Sequence, residues 1–167
     1  TQPALATASL ALHELLTSLN IQPDCVGGHS LGEVTALYAA GVLDAKSLLK
    51  VARKRGELMK EASATPGAMI AAVDDIDTLG ELVKDFVPDV VIANHNGPEQ
   101  VVLSGSTQAI MKFETLLRKE GIEVHRLPVA TAFHSNLVSP SSEPFHQFLE
   151  TIPFTQPQIP VYANSKA

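Results

Sequence analysis

Cysteine is almost missing from this chain: Cys25 stands alone among 167 residues. A lone thiol excludes an internal disulfide framework and fits a reducing compartment, so a cytoplasmic protein is expected. No apolar run is long enough to span a bilayer as a helix, which argues against a membrane role. No dense basic stripe offsets the formal net charge of −6, so no nucleic-acid partner is expected. A zinc helix is missing as well. His13-Glu14 begins like the His-Glu-x-x-His pattern, but position 17 is Thr17 and no second ligand follows at the required turn. What remains is an ordinary globular composition, 45% apolar and 18% charged. The length suits one sizeable core, or a core with a small inserted subdomain.

One stretch carries chemistry. Asp24 to Glu33 reads as a few strand residues, then Gly28-His29-Ser30-Leu31-Gly32, then a helix. A serine hydroxyl is a poor nucleophile near neutral pH and becomes useful when a sharp strand-to-helix turn exposes it to a base. Gly28 and Gly32 suit such a turn, because a side chain at either place is expected to crowd the serine backbone or the helix packing. The Leu31 amide then lies at a helix N-terminus, where an oxyanion would form. An ordinary glycine-rich loop is the alternative, since five residues of this pattern also recur by chance.

The remaining elements follow from periodicity and punctuation. Leu5, Ala8, Leu12, Leu15, Leu16 and Leu19 form a helical stripe over residues 2–20, expected to pack on a sheet face, with Asn20 and Pro23 as the stop. A helix from Leu31 ends at Gly41, and Asp44 caps another that reaches Ala62. That helix carries Lys50, Arg53, Lys54, Arg55 and Lys60, a cluster whose default reading is a solvated face. Beyond a small-residue linker at 63–67 the pattern changes to strand Met69–Val73, helix Asp77–Phe86, strands Val90–Ala93 and Gln100–Ser104, helix Thr107–Glu120 and strand Ile122–Leu127. The order βαββαβ is that of a ferredoxin-like split unit. The expected fold is therefore α/β: an incomplete α/β-hydrolase-like parallel-sheet core (1–66 and 128–167) with an inserted ferredoxin-like βαββαβ subdomain (67–127). Asp74-Asp75 read as solvated turn residues. A short helix is expected around Phe145 to Glu150, and Val161 to Asn164 resembles the start of a further strand.

A nucleophilic serine needs a proton acceptor, and histidine has the suitable unperturbed pKa. The six candidates are His13, His29, His95, His125, His134 and His146. His29 adjoins Ser30, where the turn sends neighbouring side chains apart, so it is expected to pack near the site. His13 and His146 read as helix-surface residues, while His95 and His125 belong to the βαββαβ stretch. His134 lies where the chain returns from that stretch; spacing favours it without deciding the matter.

Five ordered motifs then carry a resemblance: Gly28-His29-Ser30-Leu31-Gly32-Glu33, Arg55-Gly56-Glu57-Leu58-Met59, Gly67-Ala68-Met69, Asn94-His95-Asn96-Gly97-Pro98-Glu99-Gln100-Val101-Val102 and Ala132-Phe133-His134-Ser135. Their order resembles that of malonyl-CoA:acyl carrier protein transacylases and the acyltransferase domains of polyketide and fatty acid synthases, over nearly the whole chain. The resemblance implies Ser30 as the acylated nucleophile and His134 as the base. It implies Arg55 as the holder of a malonyl carboxylate, which a guanidinium matches in shape and charge. Asn94, Asn96 and Gln100 match the family's polar hairpin near the cleft, and Phe133 in Ala-Phe-His-Ser resembles the malonyl-type signature, a bulky ring that would crowd an α-methyl group.

The implied partners are malonyl-CoA, an acyl carrier protein whose phosphopantetheine thiol accepts the group, and neighbouring synthase domains such as a ketosynthase if the parent is multidomain. A coenzyme A thioester is then substrate, and no bound cofactor or metal is needed. Family members also carry an upstream Gly-Gln-Gly segment supplying an oxyanion contact, and a later oxygen that orients the histidine. Neither occurs here, so an internal fragment with an incomplete site is expected. The competing functions are a serine hydrolase, whose acid usually falls between serine and histidine in chain order, and a non-catalytic docking segment of a multidomain synthase.

Overall fold

The computed structural model describes residues 1–62, 66–129 and 131–164. The chain is an α/β protein whose described residues form two sheets, one of two parallel strands and one of four antiparallel strands. It divides into two compact units, Thr1–Leu58 with Glu143–Ala167, and Met59–Ser142. Among the described residues no helix is long and apolar enough to cross a membrane.

The first unit is built on helices. α1 (Gln2–Ser18) leads to β1 (Val26–Gly27), then α2 (Gly32–Ala39) and α3 (Ala45–Ala62); α6 (Ser142–Leu149) and β6 (Val161–Tyr162) return to it late in the chain. β1 and β6 pair in parallel, Val26 opposite Val161 and Gly27 opposite Tyr162. The helix boundaries have local causes. Asn20 and Gly41 both take left-handed backbone, φ 58° and 77°, after α1 and α2. Asp44 Oδ1 accepts the Ser47 amide at 2.6 Å and so starts α3.

α1 corrects an expectation. Leu5, Leu12, Leu15, Leu16 and Leu19 are 45–62% exposed, and the face that packs is centred on fully buried Ala6. A residue with no side chain beyond Cβ lets α1 lie close to Leu48 and Ala52 of α3, with Leu10, Leu31 and Val34 around them. A second cluster joins Leu43, Val51 and Ile152 to Phe145, Phe148 and Leu149 of α6.

The second unit runs β2 (Gly67–Val73), α4 (Ile76–Val83), β3 (Val90–Gly97), β4 (Gln100–Ser106), α5 (Thr107–Lys119) and β5 (Glu123–Arg126). Its sheet has the order β3-β4-β2-β5. Period-two alternation puts Ile70, Ala72, Val101, Leu103 and Val124 on the face that meets Leu79 and Val83 of α4 and Ile110, Phe113 and Leu117 of α5. Asp75 and Ser106 cap these helices, accepting the amides of Thr78 at 2.8 Å and Ala109 at 3.2 Å. Asp75 is thus a helix cap, where the sequence suggested only a solvated turn. α4 stops at Val83, and Lys84–Phe86 tightens into a 3-10 turn. β3 runs on through Asn94 to Gly97, residues expected in a loop, because two register irregularities let the polar stretch stay paired with β4.

Candidate active site

Ser30 occupies the turn between β1 and α2, and its φ is 54°. Left-handed backbone is unfavourable for a residue with a Cβ, so surrounding contacts must hold it there. His29 O accepts the Gly32 amide at 2.9 Å, Ser30 O accepts that of Glu33 at 3.2 Å, and Leu31 O accepts that of Val34 at 3.1 Å. A Cβ at position 28 would lie 2.0 Å from the Gly32 carbonyl carbon, so only glycine fits beneath the turn. The expectation for Gly32 fails: a Cβ there would meet nothing within 4 Å among the described residues. The tight packing is of Gly28 against the backbone of Gly32, and one side-chain-free residue suffices for it. The Leu31 amide has no carbonyl acceptor among the described residues. His29 is exposed.

Asn164, just after β6, braces the turn from a distant part of the chain. Its Nδ2 donates to Gly28 O at 2.5 Å, and its backbone amide donates to Glu33 Oε1 at 3.0 Å.

Arg55 projects from α3 to this turn. Its Nη2 donates to Ser30 Oγ at 3.0 Å and its Nη1 to Gln2 Oε1 at 2.8 Å. Burial pulls the guanidinium below its usual pKa range, and the nearby Glu33 carboxylate opposes that pull. The group stays charged throughout, because an arginine begins so far above neutrality. Its neighbour Arg53 is exposed and pairs with Glu57 at 2.7 Å, the solvated behaviour expected of the whole cluster.

His134 belongs to the second unit, with φ 59°. It is exposed, between half-buried Phe133 and a short 3-10 helix, Asn136–Ser141. Ser135 fixes the segment on its far side: its Oγ donates to Ala132 O at 2.7 Å and accepts the Leu137 amide at 3.2 Å. Gly67 fixes the near side. A Cβ there would stand 2.3 Å from the Ala132 nitrogen and 2.6 Å from its Cβ. The opening residue of β2 and the segment leading into His134 are therefore in backbone contact.

Asn94 and Asn96 lie on β3 and Gln100 begins β4; Asn94 is half-buried opposite Val102, while Asn96 and Gln100 are exposed. The other histidines are elsewhere. His13 meets Tyr38 edge-on at 5.5 Å between ring centroids, and His125 Nε2 lies 2.9 Å from Glu123 Oε1. His146 is exposed on α6, and His95 is exposed on β3 opposite Val101.

Ser30, Leu31, His29 and Arg55 thus share the first unit, and Phe133, His134, Asn94, Asn96 and Gln100 the second. Three residues at the serine turn were not singled out by sequence reasoning: Gln2, Glu33 as a bond acceptor, and Asn164. Each engages across a separation that local pattern does not reveal, up to 136 positions for Asn164 and Gly28.

Residues 1–167 match the family described as acyl transferase domain. A malonyl CoA-acyl carrier protein transacylase from Synechocystis sp. is 40% identical over 169 residues, covering 98% of this chain and 55% of that protein. The polyketide synthase GfsA of Streptomyces halstedii is 38% identical over 162 residues, covering 96% of this chain and 2% of the synthase. Among solved structures, FabD from Acinetobacter baumannii superimposes with a TM-score of 0.91 at 36% identity, covering 96% of this chain and 54% of that one. The chain spans about half the length of the transacylases it matches.

Proposed function

The chain belongs to the acyl transferase domain family, and from that premise we propose that it carries the nucleophile, base and carboxylate-binding residues of a malonyl-CoA:acyl carrier protein acyltransferase. The observation that carries the reading is the 3.0 Å hydrogen bond from the Arg55 guanidinium to Ser30 Oγ. A fixed cation beside a nucleophile selects an acyl group bearing its own carboxylate a few bonds from the reacting carbonyl. A simple esterase has no use for it.

In the proposed reaction Ser30 Oγ attacks the thioester carbonyl while His134 takes its proton. The Leu31 amide donates to the oxyanion, and coenzyme A leaves with the proton returned by His134. Arg55 holds the malonyl carboxylate through both half-reactions. The phosphopantetheine thiol of an acyl carrier protein, activated by His134, then attacks the Ser30 ester and carries the malonyl group away. Water must be excluded, or the ester would simply hydrolyse. Phe133 favours malonyl over an α-methylated group by filling the space a methyl would need. Asn94, Asn96, Gln100 and His29 shape the surroundings of the acyl group. The reaction would run in the cytoplasm.

We further propose that these residues are part of a larger domain, with an α/β-hydrolase-like core (1–66 and 128–167) interrupted by a ferredoxin-like unit (67–127). The parallel β1–β6 pair and the sheet order β3-β4-β2-β5 support it, as does the greater length of the transacylases. The exposed leucines of α1 also support it, since a soluble domain seldom leaves so much contiguous apolar surface uncovered.

Mass spectrometry of the intact acyltransferase with malonyl-CoA and carrier protein tests the function. Malonyl on Ser30 that moves to the carrier is expected, and Ser30→Ala should abolish both adducts. Release of free malonate with an unmodified carrier would refute transfer in favour of hydrolysis.

A further inference from the structure

We infer that Gln2 is a positioning residue for Arg55: a neutral side-chain acceptor that fixes one edge of the guanidinium without adding a charge against it, so that the other edge stays beside Ser30. The inference rests on the reading of Arg55 as the holder of the acyl carboxylate, and it names a residue that sets that selectivity without touching the substrate.

An arginine side chain is long and loses considerable rotamer freedom when fixed in one place. Arg55 is fixed by two bonds that diverge from its two terminal nitrogens, Nη1 to Gln2 Oε1 at 2.8 Å and Nη2 to Ser30 Oγ at 3.0 Å. Only the second can be exchanged for a substrate carboxylate without moving the group away from the nucleophile. The first is therefore the hinge that keeps the guanidinium in place during the exchange. Gln2 is placed for this by the packing of α1 on α3: a Cβ at Gly56, next to Arg55, would be 3.6 Å from Gln2 Cβ, so the two helices meet in ordinary contact at this point.

The chemistry of the acceptor matters as much as its position. A carboxylate at position 2 would also accept from Nη1, but it would neutralise the cation and compete with an incoming malonyl group. An amide oxygen orients the guanidinium and leaves its charge available. The acid that does act on Arg55, Glu33, has its Oε1 accepting the Asn164 amide at 3.0 Å.

The test uses the intact acyltransferase in four forms besides wild type: Gln2→Met, Gln2→Glu, Arg55→Ala and the Gln2→Met/Arg55→Ala double variant. Each is assayed for kcat and KM with malonyl-CoA and with acetyl-CoA. Gln2→Met keeps the volume and removes the acceptor. It should lower the malonyl-to-acetyl ratio of kcat/KM by about tenfold, mainly through the malonyl KM, as expected for one hydrogen bond to a charged group. Gln2→Glu should lower the ratio further, although it retains an acceptor. In the double variant the ratio should match that of Arg55→Ala alone. Partial unfolding would reduce both substrates alike and leave the ratio unmoved. A Gln2→Met ratio equal to wild type, with a collapsed ratio in Arg55→Ala, overturns the role of Gln2 and leaves that of Arg55 standing. An unchanged ratio in Arg55→Ala overturns the role of Arg55 itself.

Discussion

Replacing Gly28 and Gly32 by alanine, one at a time, should give opposite results at two glycines that look equivalent in Gly-x-Ser-x-Gly. At position 28 the new methyl carbon would stand 2.0 Å from the Gly32 carbonyl carbon, 2.1 Å from its oxygen and 2.4 Å from the Glu33 nitrogen. Non-bonded carbons settle at about 3.5–4.0 Å, so the first turn of α2 has to retreat by roughly 1.5 Å. Backbone has to yield here rather than the end of a flexible side chain. Overpacking costs about 1–3 kcal/mol, and a backbone clash of this depth belongs at the upper end, about 3 kcal/mol. For a protein of this size that corresponds to a Tm lowered by about 6–12 °C. At position 32 the methyl would meet nothing within 4 Å among the described residues, and alanine is the better helix former by up to about 1 kcal/mol. Gly32→Ala should therefore leave Tm unchanged or raise it by up to about 4 °C. Thermal unfolding of both variants, followed by far-ultraviolet circular dichroism in one buffer, separates the cases. Equal losses at the two sites, or a wild-type Tm for Gly28→Ala, would refute the packing argument.

Gly67→Ala should drive β2 and the Ala132 segment apart. Because that segment leads into His134, the proposed base, turnover in the proposed reaction should fall by about 100-fold, the scale on which an ångström of misplacement acts in catalysis; wild-type kcat in a folded Gly67→Ala protein would refute the link. Acid stability should depend on Glu114. Burial raises its pKa, but hydrogen bonds from Arg126 at 2.7 Å and Arg118 at 3.0 Å outweigh that and hold the carboxyl below its ordinary range. A folded pKa below the unfolded one gives stability that is present above the unfolded value and is lost as pH falls through the folded one. Glu114→Gln should therefore flatten the decline in stability below about pH 4.5, and equal acid limbs in the two proteins would count against the arrangement.

The sequence made some features legible because their causes are local. Gly41 and Asp44 mark helix ends through their own backbone or cap chemistry, Gly41 with φ 77°. The strands and helices of the second unit were legible for the same reason, since period two and period 3.6 each reflect one buried face. The α1 leucines misled because periodicity reveals that a face is apolar without saying what covers it; the packed face is the less conspicuous one around Ala6. Arg55 could not be told from Arg53 or Lys54 by composition, and it is distinguished only by partners 53 and 25 positions away. Its selection came from the motif resemblance, as did that of His134. Gln2 and Asn164 had no such help, and an amide side chain carries no local signature of a long-range bond. The motif presents Gly28 and Gly32 symmetrically, whereas among the described residues only a Cβ at Gly28 meets the backbone of the turn.

Ser30 and His134, the two residues proposed to carry the chemistry, are both held in backbone that suits glycine, at φ 54° and 59°. Each costs about 1–2 kcal/mol relative to a residue without a Cβ. Glycine at either position would remove the reacting group and the conformational penalty together, whereas alanine would remove only the group. A library selected for heat resistance alone should therefore accumulate Ser30→Gly and His134→Gly, trading activity for durability. Selection for function has to oppose that drift at the same two positions, and an alanine scan would not detect it.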